Sequence, residues 1–134
     1  MKPPANGVPR KWAWHHRALV RLRAALLAAH QEHDRAARVP HERGGADAID
    51  FAEDEVELVT LRAKLALEET ELGEIEAALR RLQSGTYGVC EATGLPIGEA
   101  RLRALPWTRY SKVAAVRREL TAQATPRPRR RGRR

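Results

Sequence analysis

Two heptad repeats separated by a short break constrain the fold of this chain more than any other feature. A heptad repeat places one row of side chains on the face of an α-helix that packs against another helix. The repeat positions alternate in spacing between three and four residues. In the first repeat they are Leu19, Leu22, Leu26, Ala29, His33 and Ala36. In the second they are Leu58, Leu61, Leu65, Glu68, Leu72, Ile75, Leu79 and Leu82.

The break between the repeats contains strong helix-breaking residues. Pro40 disfavours helical geometry in the residue before it, and Gly44 and Gly45 follow closely. A connection of about seven residues cannot carry the chain to the far end of the first helix. We therefore predict an antiparallel coiled-coil hairpin over residues 11–84, with its tip near residues 40–52.

The charges of the two predicted helices complement each other. Residues 1–39 hold eight basic and two acidic side chains, whereas residues 47–76 hold eleven acidic and two basic ones. With a rise of about 1.5 Å per residue, a second helix that ends near residue 84 is about 55 Å long. Because a compact domain of this size needs no helix of that length, we expect the hairpin to project as a rod.

The segments outside the hairpin differ from it in composition. Residues 1–10 contain three prolines and one glycine, and we expect a flexible leader there. Three glycines and a proline in residues 86–98 exclude a continuous helix, so we expect residues 85–122 to form a small turn-rich module that ends in a helix. Residues 123–134 hold few apolar side chains, and we expect a disordered, arginine-rich tail.

Several side chains are candidates for packing within and against the module. The candidate core residues are Tyr87, Leu95, Ile97, Leu102, Trp107 and Tyr110. We expect the last helix to run from Pro106 to about residue 120. Its predicted apolar stripe consists of Val113, Val116 and Leu120. The candidates for packing between the module and the first helix are Trp12, Trp14, His15 and His16.

The composition favours an all-α fold and excludes several classes of protein. Alanine (23) and leucine (15) dominate the apolar residues, whereas Phe, Tyr and Trp together number six. No apolar run reaches the roughly 20 residues that cross a bilayer, and the N-terminus lacks the apolar stretch of a signal peptide. We therefore expect a cytoplasmic protein without membrane contact. The single cysteine, Cys90, forms no internal disulfide, and we expect a buried thiol in a monomeric protein.

The segment from residue 87 to residue 106 carries a distinctive pattern. It reads Tyr87-Gly-Val-Cys90, then Gly94-Leu-Pro-Ile97-Gly98, then Arg101-Leu102-Arg-Ala104-Leu-Pro106. This pattern resembles the C-terminal module of the DksA/TraR family, in which a long antiparallel coiled coil precedes such a module. The resemblance covers residues 12–122. It implies an all-α fold with a coiled-coil hairpin, a small zinc-finger-like module and a C-terminal helix.

The same resemblance identifies the positions of the family's zinc ligands. The four zinc cysteines correspond to Cys90, Thr93, Ser111 and Ala114, and only the first is a cysteine here. Hydroxyl groups bind zinc poorly at neutral pH, and an alanine methyl group does not bind it. The five histidines all lie between residues 15 and 41. We therefore predict a degenerate module without zinc and a protein without any other cofactor.

The hairpin tip also matches a family motif. In the same register, the family's Asp-x-x-Asp-x-Ala motif corresponds to Asp47, Asp50 and Ala52. The resemblance implies that this tip enters the secondary channel of RNA polymerase, where its acidic residues act beside the catalytic centre and alter initiation. Acidic residues also cap helix N-termini, so Asp47 and Asp50 fit both roles.

These observations favour a bacterial RNA polymerase-binding transcription regulator over an enzyme. No arrangement of catalytic side chains has a plausible spacing in the sequence. The resemblance links such regulators to the stringent response. Family members that respond to the alarmone guanosine tetraphosphate place basic residues where this chain has Leu67 and Glu74. Arg101 is retained as a module contact, but one arginine is a weak basis for alarmone binding.

The alternative is a coiled-coil adaptor or nucleic-acid-associated protein that acts through its tail. Six arginines account for most of the net charge of +8. They are Arg127, Arg129, Arg130, Arg131, Arg133 and Arg134. A flexible cationic segment attracts nucleic acid without reading its sequence. A tail that only improves solubility is an equally simple interpretation.

Two polar features of the hairpin need an explanation. Glu68 occupies a repeat position, and we expect Arg17 or Arg21 to reach across the interface toward it, which would fix the register of the helices. His30 and His33 lie one turn apart, as metal ligands on a helix often do. Because no carboxylate or cysteine is evident to complete such a site, we favour solvated or interface histidines.

Overall fold

The computed structural model of the protein describes residues 7–39 and 48–124, which form four α-helices. The helices are α1 (Ala13–Arg38), α2 (Ala48–Ser84), α3 (Glu99–Ala104) and α4 (Lys112–Ala124). A 3-10 turn, Arg10–Trp12, precedes α1. Within the described ranges the β pairing is limited to an isolated bridge between Val89 and Pro96. The predicted all-α fold with a coiled-coil hairpin is confirmed.

Helices α1 and α2 form the rod and are antiparallel. Leu26 lies near Ile75, whereas His33, two turns later in α1, contacts Glu68, two turns earlier in α2. The helix ends follow from local chemistry. Val39, which precedes Pro40, is extended with ψ of 123°. Gly85 ends α2 with a φ of +81°, a conformation that glycine adopts without steric cost.

The core of the protein lies at the base of the rod, which we define as the end where α1 begins and α2 ends. There Leu19, Ile75 and Leu82 are buried together with module residues Tyr87 and Leu102. The repeat positions nearer the tip, including Leu58, Leu61 and Leu65, are only half-buried. At the base the module covers the rod as well, so burial increases from the tip to the base.

The module differs from the sequence-based expectation in its helices. A short helix, α3, follows Gly98, and the last helix begins at Lys112, six residues later than predicted. Pro106 lies in a turn that is closed by a hydrogen bond from the Thr108 N–H to the Leu105 carbonyl at 3.0 Å, and its own carbonyl accepts one from the buried Tyr87 hydroxyl at 2.8 Å. This turn leads the chain away from α3, so a helix that starts at Pro106 was the wrong prediction.

Other packing predictions were partly wrong. Leu95 is 64% exposed because it lies at the edge of a loop, whereas Ile97 on the other side of Pro96 is buried. The predicted stripe of α4 faces solvent, with exposures of 62%, 47% and 60% at Val113, Val116 and Leu120.

The predicted segment ends also need correction. Val8, assigned to the flexible leader, is buried in the core. Helix α4 continues to Ala124, into the segment predicted to be disordered. The rest of the tail, including all six of its candidate arginines, lies outside the described residues, as do residues 1–6 of the leader.

None of the described helices is both long enough and apolar enough to cross a bilayer.

Candidate functional site

The tip of the rod presents two of its three candidate residues. Asp50 lies in the first turn of α2 and is exposed, and Ala52 is exposed beside it. The side chain of Phe51 between them is half-exposed. The positive end of the helix dipole favours a carboxylate at this position. Asp47, the third candidate, lies outside the described residues.

Halfway along the rod, a buried carboxylate connects the two helices. The Glu68 side chain is only 8% exposed. Its Oε2 atom lies 3.2 Å from His30 Nδ1, and its Oε1 atom lies 2.5 Å from His33 Nδ1. Glu68 therefore contacts two histidines of α1 and not Arg17 or Arg21, which corrects the predicted partner. Histidines at adjacent turns of one helix reach both oxygens of a carboxylate on the facing helix.

The four positions that correspond to zinc cysteines lie together in the module. Cys90 is 1% exposed, and Ala114 is buried in the same apolar cluster. The Thr93 hydroxyl and the backbone N–H of Ser111 donate hydrogen bonds to the Cys90 sulfur. The Gly94 N–H donates to the Cys90 carbonyl at 2.8 Å, which closes the tight turn after the cysteine. The backbone therefore forms a tight turn at a position that corresponds to a zinc site in the family, but this turn holds a single thiol.

The surroundings of the Cys90 thiol favour its ionised form. Burial raises the pKa of Cys90, but hydrogen bonds from Thr93 and from the backbone N–H groups of Ser111 and Ala92 outweigh it. Together they lower the pKa of Cys90 from 9.0 to about 6. These hydrogen-bond donors point to the sulfur as they would to a metal-bound thiolate.

The residues of this corner do not fit zinc. They offer one thiolate, two hydroxyl groups and a methyl group, and both hydroxyls already have partners. The Thr93 hydroxyl accepts a hydrogen bond from the Leu95 N–H at 3.3 Å, and the Ser111 hydroxyl accepts one from the Ala114 N–H at 3.3 Å. In residues 7–39 and 48–124, no group of three or more His, Cys, Asp or Glu side chains could hold a metal ion.

Polar side chains fix the segment between α3 and α4. This segment leads to Ser111, which corresponds to the third zinc cysteine of the family. The Arg81 Nη2 atom of α2 donates to the carbonyls of Trp107 at 3.1 Å and Thr108 at 3.4 Å. The Arg101 Nε atom donates to the Tyr110 carbonyl at 2.8 Å. Burial raises the pKa of Tyr87 to about 12, so its hydroxyl is a neutral donor to the same segment. Arg101 thus has a structural role in the module.

A second arginine ties this segment to the rod. The Arg109 Nε atom lies 2.7 Å from Glu74 Oε2, and its Nη1 atom lies 3.3 Å from Glu91 Oε1. The hydrogen bond to Glu74 is the largest influence that raises the pKa of Arg109. Sequence reasoning missed Arg81 and Arg109, because neither belongs to a motif or a heptad position. It identified Glu74 only as a position unsuited to an alarmone.

Aromatic side chains join α1 to the module at the base. The ring of Trp12 lies edge-on to Tyr87, with 4.9 Å between centroids, and that of His15 lies 5.1 Å from both Trp12 and Trp14. Trp12 and His15 contact Tyr87, and Trp14 contacts Arg103, so these three residues pack against the module as predicted; for His16 the packing stays a prediction. Burial, followed by the charge of Arg103, lowers the pKa of His15.

Comparisons with known proteins agree with this geometry. The model of the prokaryotic DksA/TraR C4-type zinc finger matches residues 85–120. The structure of transcription factor DksA2 from Pseudomonas aeruginosa is similar to this one, with a TM-score of 0.71 and 32% sequence identity. The similarity covers 82% of this chain and 84% of that one. The chain belongs to the DksA/TraR family.

Two curated relatives of this DksA/TraR family member match over shorter segments. An RNA polymerase-binding transcription factor DksA from Caulobacter vibrioides is 50% identical over 48 residues, which are 36% of this chain and 34% of that protein. General stress protein 16O from Bacillus subtilis is 50% identical over 40 residues, 30% of this chain and 24% of that protein. The matches therefore span about a third or less of these relatives. With one cysteine, this chain departs from the C4 pattern of the DksA/TraR module.

Proposed function

We propose that this chain binds bacterial RNA polymerase, inserts the tip of its rod into the secondary channel and modulates transcription initiation. The observation that carries the proposal is the similarity to a DksA2 transcription factor over more than four-fifths of both chains. The curated Caulobacter relative is itself named an RNA polymerase-binding transcription factor. We further propose that the chain acts through contacts alone, without catalysing a reaction and without a bound cofactor.

The shape of the molecule supports this mode of action. The rod ends in an exposed carboxylate, Asp50, and α2 alone extends about 55 Å from tip to base. Packing along α1 and the contact of Glu68 with two histidines stiffen the rod. The module packs on the base of the rod, at the opposite end from the tip, so it would limit the depth of insertion into a channel.

The experiment compares Asp50→Asn with Glu57→Gln in polymerase pull-down and in vitro transcription. Both residues are exposed on α2, two turns apart, and both changes remove one negative charge. We expect Asp50→Asn to bind core polymerase as the wild type does but to lose its effect on initiation. Glu57→Gln should retain both properties. If Asp50→Asn keeps the full effect, the tip carboxylate serves only the helix and the proposed mechanism is wrong.

We also propose that regulation is independent of the alarmone. At one of the positions where responsive relatives carry a basic residue, Glu74 forms a partly exposed ion pair with Arg109 of the same chain. A carboxylate there repels a phosphate and already holds the nearby guanidinium. Transcription assays with a polymerase that lacks an alarmone site of its own should give the same effect with and without guanosine tetraphosphate. A reproducible stimulation would show that another site binds it.

A further inference from the structure

An apolar groove runs along α1 at the base of the rod, and nothing in the described part of the chain fills it. It consists of two adjoining cavities of about 520 and 290 Å³, which share Leu22, Ala25 and Trp107. The first extends beside the module to Trp14, and the second extends between α1 and α2 to Ala29. Leu22 was predicted to face α2 but is exposed in this groove.

The walls and rim of this groove have the composition of a protein-binding site. Trp14 and Trp107 are half-buried, and both line the groove. Arg21 and Arg103 lie on the rim at the module end, and the Arg103 guanidinium stacks over the Trp14 ring at 4.7 Å. Glu71 lines the other cavity, so the positive charge is confined to the module end of the groove. Tryptophan and arginine are enriched among the residues that carry most of the binding energy at protein interfaces.

The dimensions of the groove suit a helix. Residues 14–29 of α1 span about 22 Å, the length of an α-helix of four turns. The groove is lined by the small side chains of Ala18, Ala25 and Ala29, which leave space for another helix to approach α1. An amphipathic helix binds such a groove through apolar side chains at one-turn spacing.

The charges at the rim determine which kind of helix fits. Arg21 has no carboxylate partner in the described part of the chain, and Arg103 has only an exposed contact with Glu99 at 3.6 Å. The exposed stripe of α4 from a second copy is the nearest apolar candidate. However, α4 carries Lys112, Arg117 and Arg118 against one acidic residue, Glu119, so the rim arginines would repel its net positive charge.

We propose that the groove binds an amphipathic helix of a partner protein whose apolar face is flanked by carboxylates. The apolar side chains lie over Ala25 between Trp14 and Trp107. The carboxylates pair with Arg21 and Arg103 at the module end of the groove. This surface is separate from the tip, so the proposal stands whether or not the tip acts on polymerase.

The test uses two synthetic helical peptides of about 16 residues with the same leucine face. One has glutamates along its flanks and the other has lysines. Binding to the full chain is followed by the anisotropy of a fluorescent label on each peptide. We expect the glutamate peptide to bind roughly tenfold more tightly than the lysine peptide at low salt.

Matched variants locate the binding site. Ala25→Glu places a charged side chain on the groove floor and should abolish binding, whereas Ala24→Glu, exposed beside it but outside the groove, should not. Arg21→Glu should reverse the preference between the two peptides, whereas Arg23→Glu, which does not line the groove, should keep it. These changes are all at exposed positions, and circular dichroism checks that each variant folds.

Three results would overturn the proposal. The first is equal binding of both peptides, or binding of neither, by the wild-type chain. The second is equal loss of binding in Ala24→Glu and Ala25→Glu. The third is a concentration-dependent dimer, detected by sedimentation, that both Ala25→Glu and Val116→Glu dissociate. That dimer would show that α4 of a second copy occupies the groove.

Discussion

The rod and the module are stabilised in different ways. In the rod, apolar side chains repeat along two long helices, and Glu68 with its two histidines is the buried polar contact between them. In the module, one short segment is held at its backbone carbonyls by hydrogen bonds from Arg101 and Tyr87 of the module and from Arg81 of α2. A segment too irregular for a helix or strand needs another source of order. The matching family model is a C4-type zinc finger, whereas this chain has one cysteine and these side-chain donors around the same segment.

The largest effect is expected from the donor that joins the module to α2. Arg81→Ala leaves the carbonyls of Trp107 and Thr108 without their donor and removes a partly buried side chain. We expect the free energy of unfolding to fall by about 2–3 kcal/mol in urea titrations. Arg80→Ala is the control, because Arg80 is exposed, and it should cost less than about 0.5 kcal/mol. Equal effects of the two changes would contradict this account of the module.

An intermediate effect is expected in the rod. Glu68→Ala leaves two imidazoles without their carboxylate and opens a gap between the helices. We expect a loss of about 1–2 kcal/mol in the free energy of unfolding. The Glu69 side chain is 70% exposed and lies 3.8 Å from His30, so Glu69→Ala should change stability by less than about 0.5 kcal/mol. A double-mutant cycle with His33→Ala should show coupling between residues 33 and 68 and none between 33 and 69.

A smaller, pH-dependent effect is expected where the rod meets the module. Because burial lowers the pKa of His15, the unfolded chain takes up a proton near pH 6.5 while the folded chain resists it. The folded state is therefore disfavoured as the pH falls below about 6.5, and the penalty is absent above it. Urea titrations at pH 7.5 and 5.5 should show a smaller loss of stability in His15→Phe than in the wild type. His16→Phe is the control, and an unchanged pH dependence in His15→Phe would contradict the prediction.

The smallest effect on stability is expected from removing the predicted arginine-rich tail. Removing residues 125–134 should leave the free energy of unfolding unchanged. It should weaken association with DNA at low salt, because six arginines attract phosphates, and the difference should fade as salt rises. Filter binding at several salt concentrations measures this. If the truncated chain loses every activity while Asp50→Asn remains active, the tail is the functional element and the adaptor interpretation is correct.

The sequence predicts the rod well, for a physical reason. Heptad spacing is a local property, so Leu19, Ile75 and Leu82 could be assigned to the core without knowledge of the fold. The partner of Glu68 was predicted wrongly because the relative shift of the two helices depends on the whole interface. An arginine and a histidine are equally reasonable partners until that shift is known.

The module was predictable only through its resemblance to a family. Spacing located Cys90 and the three substituted ligand positions, and the structure brings these residues together. Nothing local in the sequence indicates that Arg81 reaches the carbonyls of Trp107 and Thr108, since these contacts join residues 26 and 27 positions apart. Long-range hydrogen bonds to backbone atoms leave no periodic pattern in a sequence.

We propose that side-chain contacts hold the module in place of zinc. The most direct test is elemental analysis of the purified chain combined with thermal unfolding in the presence and absence of a chelator. We expect no stoichiometric zinc and the same unfolding temperature under both conditions. One zinc ion per chain, together with a lower unfolding temperature after chelation, would contradict the claim.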